Sequence, residues 1–155
     1  MPAKKESGIT RKAIGVLTVL LVIFILIMMR LVSGIQGTAR VVNYAGLVRG
    51  GTQRWIKMEI TGNPRDKMME AVESYIDGLQ NGSEDLGLVR LKDAKYQAKV
   101  EEQKEYFQKL KEEVQHVRES GYYNTNIIED SETFFQICDD ATGLAEAYSQ
   151  RKASQ

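Results

Sequence analysis

Apolar positions follow three different rhythms along this chain. Residues 13 to 29, AIGVLTVLLVIFILIMM, form a run unbroken by charge. With Leu31 and Val32 beyond Arg30 they approach the ~20 residues that a helix needs to cross ~30 Å of hydrocarbon. A cleavable signal would have a shorter apolar core and a small-x-small cleavage site. The run here is longer and LVSGIQG is a poor cleavage site, so the segment reads as a retained transmembrane helix over residues 13–33, preceded by a cytoplasmic stretch over 1–12.

Beyond residue 34 the rhythm becomes helical. On a wheel of roughly 100° per residue, Val41, Val42, Ala45, Val48, Thr52, Trp55, Ile56 and Ile60 share one broad arc. In TGNPRDKMMEAVESYIDGLQNG, Asn63 is placed to cap a helix, Pro64 suits its first position, and Asp66 suits the positive end of its dipole. Met68, Val72, Tyr75, Ile76 and Leu79 then face one way, and Asn81-Gly82 ends the element.

From about Lys92 to Ser120 the steps alternate between four and three: Tyr96, Val100, Gln103, Phe107, Leu110, Val114 and Val117. That spacing is the seam of a helical bundle, and Gly121 ends it. A last helix begins near Thr125 or Asn126, with Ile128, Ser131, Phe135, Cys138, Thr142, Ala145 and Tyr148 along one face. A heptad seam fits a longer coiled coil as well, but the short connections favour the bundle. The pattern therefore predicts an all-α chain: an N-terminal transmembrane helix continuing into an antiparallel four-helix bundle over 34–155.

Charge refines this picture. The chain carries 21 Lys and Arg against 21 Asp and Glu. Lys4, Lys5, Arg11 and Lys12 stand against Glu6 alone before the span. By the positive-inside rule this keeps the N-terminus in the cytoplasm and puts the bundle outside. The part from Arg30 onward is mildly acidic, with 17 basic and 20 acidic side chains, so nucleic acid is not an expected partner. One cysteine, Cys138, excludes an internal disulfide and a thiolate metal cluster. One histidine, His116, removes most zinc and triad arrangements; it reads as a boundary residue near the end of its helix. Cys138 reads as a small apolar filler, and Tyr122-Tyr123 as cover for a loop. No phosphate loop, nucleophile elbow or metal-spaced acid cluster is present, so no cofactor and no catalytic residue are expected.

The stretch NYAGLVRGGTQRW, residues 43–55, departs from good helix chemistry. Three glycines in a helix interior cost roughly 3 kcal/mol relative to alanine. Gly46 and Gly50 stand four apart, a spacing that lets a second helix or a ligand approach the backbone. Arg49 falls inside the packing arc, whereas Arg54 projects to the opposite side. A partly desolvated guanidinium calls for an anion, or for a carboxylate such as Glu59 or an acid on another helix.

The pattern Asn43-x-Ala45-Gly46-x-x-Arg49-x-x-x-Gln53-Arg54 resembles the signature of the first periplasmic helix of nitrate and nitrite sensor kinases. It is also similar to the N-terminal domain of type IV pilus methyl-accepting chemotaxis transducers. Related sequences head many bacterial histidine kinases and GGDEF-type diguanylate cyclases. The motif covers about a dozen residues, and the anchor followed by four helices extends the likeness over most of the chain; Gly50-Gly51 stands where the nitrate sensors carry bulkier residues.

The resemblance implies a sensory bundle in a bacterial inner membrane, homodimeric, without enzyme activity of its own. It implies a small anion bound by Arg49 at the subunit interface, with Gly46 and Gly50 permitting close helix approach and Asn43 and Arg54 as further candidates. It also implies a second transmembrane helix and an output domain beyond residue 155. The competing expectation is a membrane-anchored helical interaction protein with no small-molecule ligand.

Overall fold

The computed structural model describes residues 3–154, with side chains from Gly8 onward. The Lys4, Lys5 and Glu6 side chains of the basic N-terminal stretch lie outside the described residues. The chain is all-α. Among the described residues it forms four helices, α1 (Ala3–Ile60), α2 (Asp66–Asn81), α3 (Ala94–Ser120) and α4 (Ile127–Ala153), and no strand. By contacts it divides into two units, Met1–Gln36 and Gly37–Gln155, with the boundary inside α1.

In the first unit, the large apolar side chains from Ile14 to Val32 are 43–69% exposed. The helix is long and apolar enough to cross a membrane. Before Arg30 its one polar side chain, Thr18, donates to the carbonyl of Ile14 at 2.9 Å. The hydroxyl is thus satisfied within the helix, as a hydrocarbon surrounding would require.

The second unit is an up-down-up-down bundle. Every neighbouring pair is antiparallel, and the side-chain contacts give the register. Tyr44 and Gly51 of α1 meet Tyr75 and Val72 of α2. Glu73 and Asp77 of α2 pair with Lys111 and Lys104 of α3. Lys99 and Lys109 of α3 pair with Asp140 and Asp130 of α4. Finally α4 returns to α1, with Ser149, Asp139 and Ser131 opposite Thr38, Arg49 and Gln53. The core is centred on three rings: Trp55 lies 5.4 Å from Phe107, which lies 5.8 Å from Phe134.

The seven predicted seam positions of α3 are the seven that are buried. Asp93 caps this helix by accepting from the Tyr96 amide at 2.9 Å. The start of α2 differs from expectation: it begins at Asp66, two residues after Pro64, and its N-cap Arg65 makes no side-chain capping bond. The reason lies at the end of α1. The Asn63 amide donates to Met58 O at 2.9 Å and the Gly62 amide to Glu59 O at 3.0 Å. These bonds form a Schellman closure around Gly62, whose φ of 76° a side chain would resist. Asn63 is therefore committed to closing α1 and does not cap α2.

In α4 the buried stripe runs through Ile127, Asp130, Ser131, Phe134, Ile137 and Cys138, then Ala141, Thr142 and Ala145. Ile128 is 63% exposed and Phe135 only half-buried, so the expected stripe is out of phase at these two positions, while Ser131 between them is buried as expected.

Candidate functional site

Burial of Ala45, Val48, Thr52, Trp55 and Ile56 fixes the rotation of α1 in the bundle. That rotation splits the five candidate residues between two faces. Asn43, Gly46, Gly50 and Arg54 fall on one stripe that turns away from the core, with Leu47, 43% exposed, among them. A Cβ built on Gly46 or Gly50 meets no atom within 4 Å. The glycine that does permit close approach is Gly51, where a built Cβ would stand 2.8 Å from Val72 Cγ2.

Arg49 lies about a third of a turn away from that stripe, at the rim between α1 and α4. Its Nη1 donates to Asp139 Oδ1 at 2.5 Å, and its guanidinium carbon sits 5.5 Å from the centre of the Phe135 ring. The side chains of Arg49 and Asp139 are 36% and 55% exposed. A small solute can therefore reach both, and the ion pair itself adds little to stability. Around the pair, Gln53 Nε2 donates to Ser131 O at 3.1 Å and Ser149 Oγ to Thr38 Oγ1 at 3.2 Å. The contact between α1 and α4 is thus a polar seam outside an apolar core.

Of the carboxylates raised as partners for Arg49, Glu59 is engaged elsewhere. It is 5% exposed and receives both Nε and Nη2 of Arg118, at 2.6 and 2.8 Å. Arg118 Nη2 also donates to Asp66 at 2.6 Å, and Tyr122 Oη to Glu59 O at 2.8 Å. The hydrogen bonds from Glu59 and then Asp66 push the Arg118 pKa above its ordinary value. Asp139 is the residue that sequence reasoning did not name. It follows the core cysteine on α4 and comes level with Arg49 only once the register of the two helices is known.

Behind the rim, Cys138 is fully buried and accepts from Gln103 Nε2 at 3.1 Å. Burial pushes its thiol up to about 12, so the thiolate is absent near neutrality and the side chain is no nucleophile. His116 is exposed on α3. Among the described residues no group of three or more His, Cys, Asp or Glu could hold a metal ion.

Comparisons of the chain with protein-family models, with curated proteins and with solved structures return no match.

Proposed function

We propose that the chain is the membrane-anchored, extracytoplasmic sensory bundle of a bacterial signal-transduction receptor, and that a small anion acts on it through Arg49. The observation that carries this reading is the placement of Arg49: a guanidinium open to solvent, on the helix that continues from the apolar segment, holding α4 through one exposed carboxylate. An anion at Arg49 competes with Asp139. Releasing that pair loosens the α1–α4 seam, and a displacement of one helix along the other is a known way to pass a signal through a membrane. The chain is a sensor in this reading and carries out no reaction.

The competition gives a test with two opposed variants. Calorimetry with nitrate, nitrite, chloride and sulfate should detect binding of at least one anion to the wild type. Arg49→Ala abolishes that binding. Asp139→Asn strengthens it up to ~5-fold, because a competitor worth up to ~1 kcal/mol has been removed. Absence of binding by all four anions, or weakening by Asp139→Asn, overturns the proposal.

A second reading has its own support. The stripe of Asn43, Gly46, Leu47 and Gly50 is uncovered, and its glycines leave room for another helix. In that reading the chain is a homodimerising anchor protein without a ligand. Analytical ultracentrifugation of Gly46→Leu and Gly50→Leu distinguishes the two: loss of a dimer with no anion binding in the wild type favours the interaction protein.

A further inference from the structure

The ends of the bundle differ in charge, although the whole chain is balanced. Gly37 opens the second unit, and only residues 34 to 36 separate it from the apolar segment. Around it lie the α2–α3 connection, the start of α3 and the last turns of α4. Gly37 packs against Val89, Arg40 Nη1 donates to Leu86 O at 3.3 Å, and Arg151 Nη2 to Asp93 Oδ2 at 2.9 Å. This end exposes Arg40, Arg90, Lys92, Lys95, Arg151 and Lys152. Its acids are Glu84, Asp85, Asp93 and Glu146, and Asp93 is already engaged by the Tyr96 amide and by Arg151. Arg90, Lys92, Lys95 and Lys152 make no ion pair among the described residues. The opposite end, around Glu112, Glu119 and Glu129, is acidic.

Lys92 and Lys95 do not serve the fold, unlike Arg40 and Arg151, which bond Leu86 O and Asp93, and Lys152, which with Arg151 suits the C-terminal end of the α4 dipole. Lys92 and Lys95 flank the N-terminus of α3, whose first turn has no acid, and a cation there opposes the helix dipole. The connection is also stiff. Ser83 and Leu88 are joined by two backbone hydrogen bonds of 2.7 and 2.9 Å, Gly87 makes the turn at a φ of 63°, and Leu88 and Leu91 are buried. Lys92 and Arg90 are therefore held outward by a rigid loop with the half-exposed Val89 beside them.

We infer that this end of the bundle is a docking surface for anionic phospholipid headgroups of the bilayer that holds the apolar segment. Basic residues bordering a span are attracted to an anionic surface, and in sequence only residues 34 to 36 stand between the apolar segment and Gly37. The surface is independent of the Arg49 reading and of which side of the membrane carries the bundle.

The test uses the full chain in nanodiscs, spin-labelled at Ala94→Cys, an exposed position between Lys92 and Lys95; buried Cys138 stays unlabelled, which the wild type checks. In discs with about 30 mol% phosphatidylglycerol, access of an aqueous relaxation agent to the label should fall ~2-fold relative to phosphatidylcholine discs. Salt near 1 M, where the Debye length is ~3 Å, should restore it. Replacing Arg90, Lys92 and Lys95 together by Ser should remove the effect while leaving the helical circular dichroism unchanged. Equal access in both lipids, or an effect that survives the triple replacement, overturns the inference. So does release by inorganic phosphate beyond that of chloride at matched ionic strength, which would mean a free-phosphate site.

Discussion

Gly46, Gly50 and Gly51 have the same side chain and three different surroundings. Alanine at Gly46 or Gly50 meets open space, so the gain in helix propensity is unopposed and each substitution stabilises the bundle by ~0.5–1 kcal/mol. Alanine at Gly51 drives into Val72, a stiff β-branched side chain only 1% exposed, and overpacking of ~1–3 kcal/mol outweighs the same gain. Denaturant unfolding of the three variants should therefore give two midpoints above the wild type and one below. A midpoint for Gly50→Ala below the wild type would mean that its face is covered in solution. Sequence alone gave the three glycines one explanation. Which of them faces a neighbour depends on the rotation of α1 against α2, which no local pattern specifies.

At the scale of an element, α4 shows how a helix can be stabilised by a residue far from it in sequence. Its N-cap Asn126 makes no side-chain capping bond. Instead Glu113 of α3 accepts from the Asn126 amide at 3.1 Å and from Thr125 Oγ1, while the Ile127 amide donates to Thr125 Oγ1 at 3.2 Å. Glu113→Ala should cost ~1 kcal/mol and raise hydrogen exchange in the first turn of α4 ahead of the rest of that helix. An effect spread evenly over α4 would refute this remote cap.

The same helix marks the limit of what was legible beforehand. The α3 seam could be read residue by residue, because a two-sided heptad stripe with charges between leaves one solution. In α4 the adjacent pairs Ile127-Ile128 and Phe134-Phe135 fit two phases equally, and contact with both α1 and α3 selects the first member of each. That Arg49 lies apart from the Arg54 face was legible, but its place at the rim and its partner were not. Asp139 becomes its neighbour only through the antiparallel register of α1 and α4.

For the whole molecule, buried ionisable groups tie stability to pH on the alkaline side. Burial raises the pKa of Tyr96 and of Cys138, the latter to about 12. Both groups are neutral when protonated. Their contribution is fully present below the unfolded values, ~8.5 for Cys and ~10 for Tyr, and is lost as pH rises from there toward the folded values. Lys99, held charged by Glu102, and Lys109, held charged by Asp130, act in the same direction above pH ~10. Unfolding midpoints should therefore be flat from pH ~6 to ~8 and fall beyond pH ~9. Cys138→Ala should remove the earliest part of that fall, on the order of 3 kcal/mol at pH ~10.5.

Arg118 ties α3 to both α1, through Glu59, and α2, through Asp66, while α4 is attached to α1 by the exposed Arg49–Asp139 pair and two part-buried polar contacts, with no buried ion pair among the described residues. This asymmetry sets an order of opening. Amides of α1, α2 and α3 around Arg118 should exchange with deuterium together, at rates near those of global unfolding, and the C-terminal turns of α4 should exchange before them. Glu59→Leu leaves Arg118 bonded to Asp66 alone, so α1 should then exchange independently of the α2–α3 pair, dividing one cooperative opening into two.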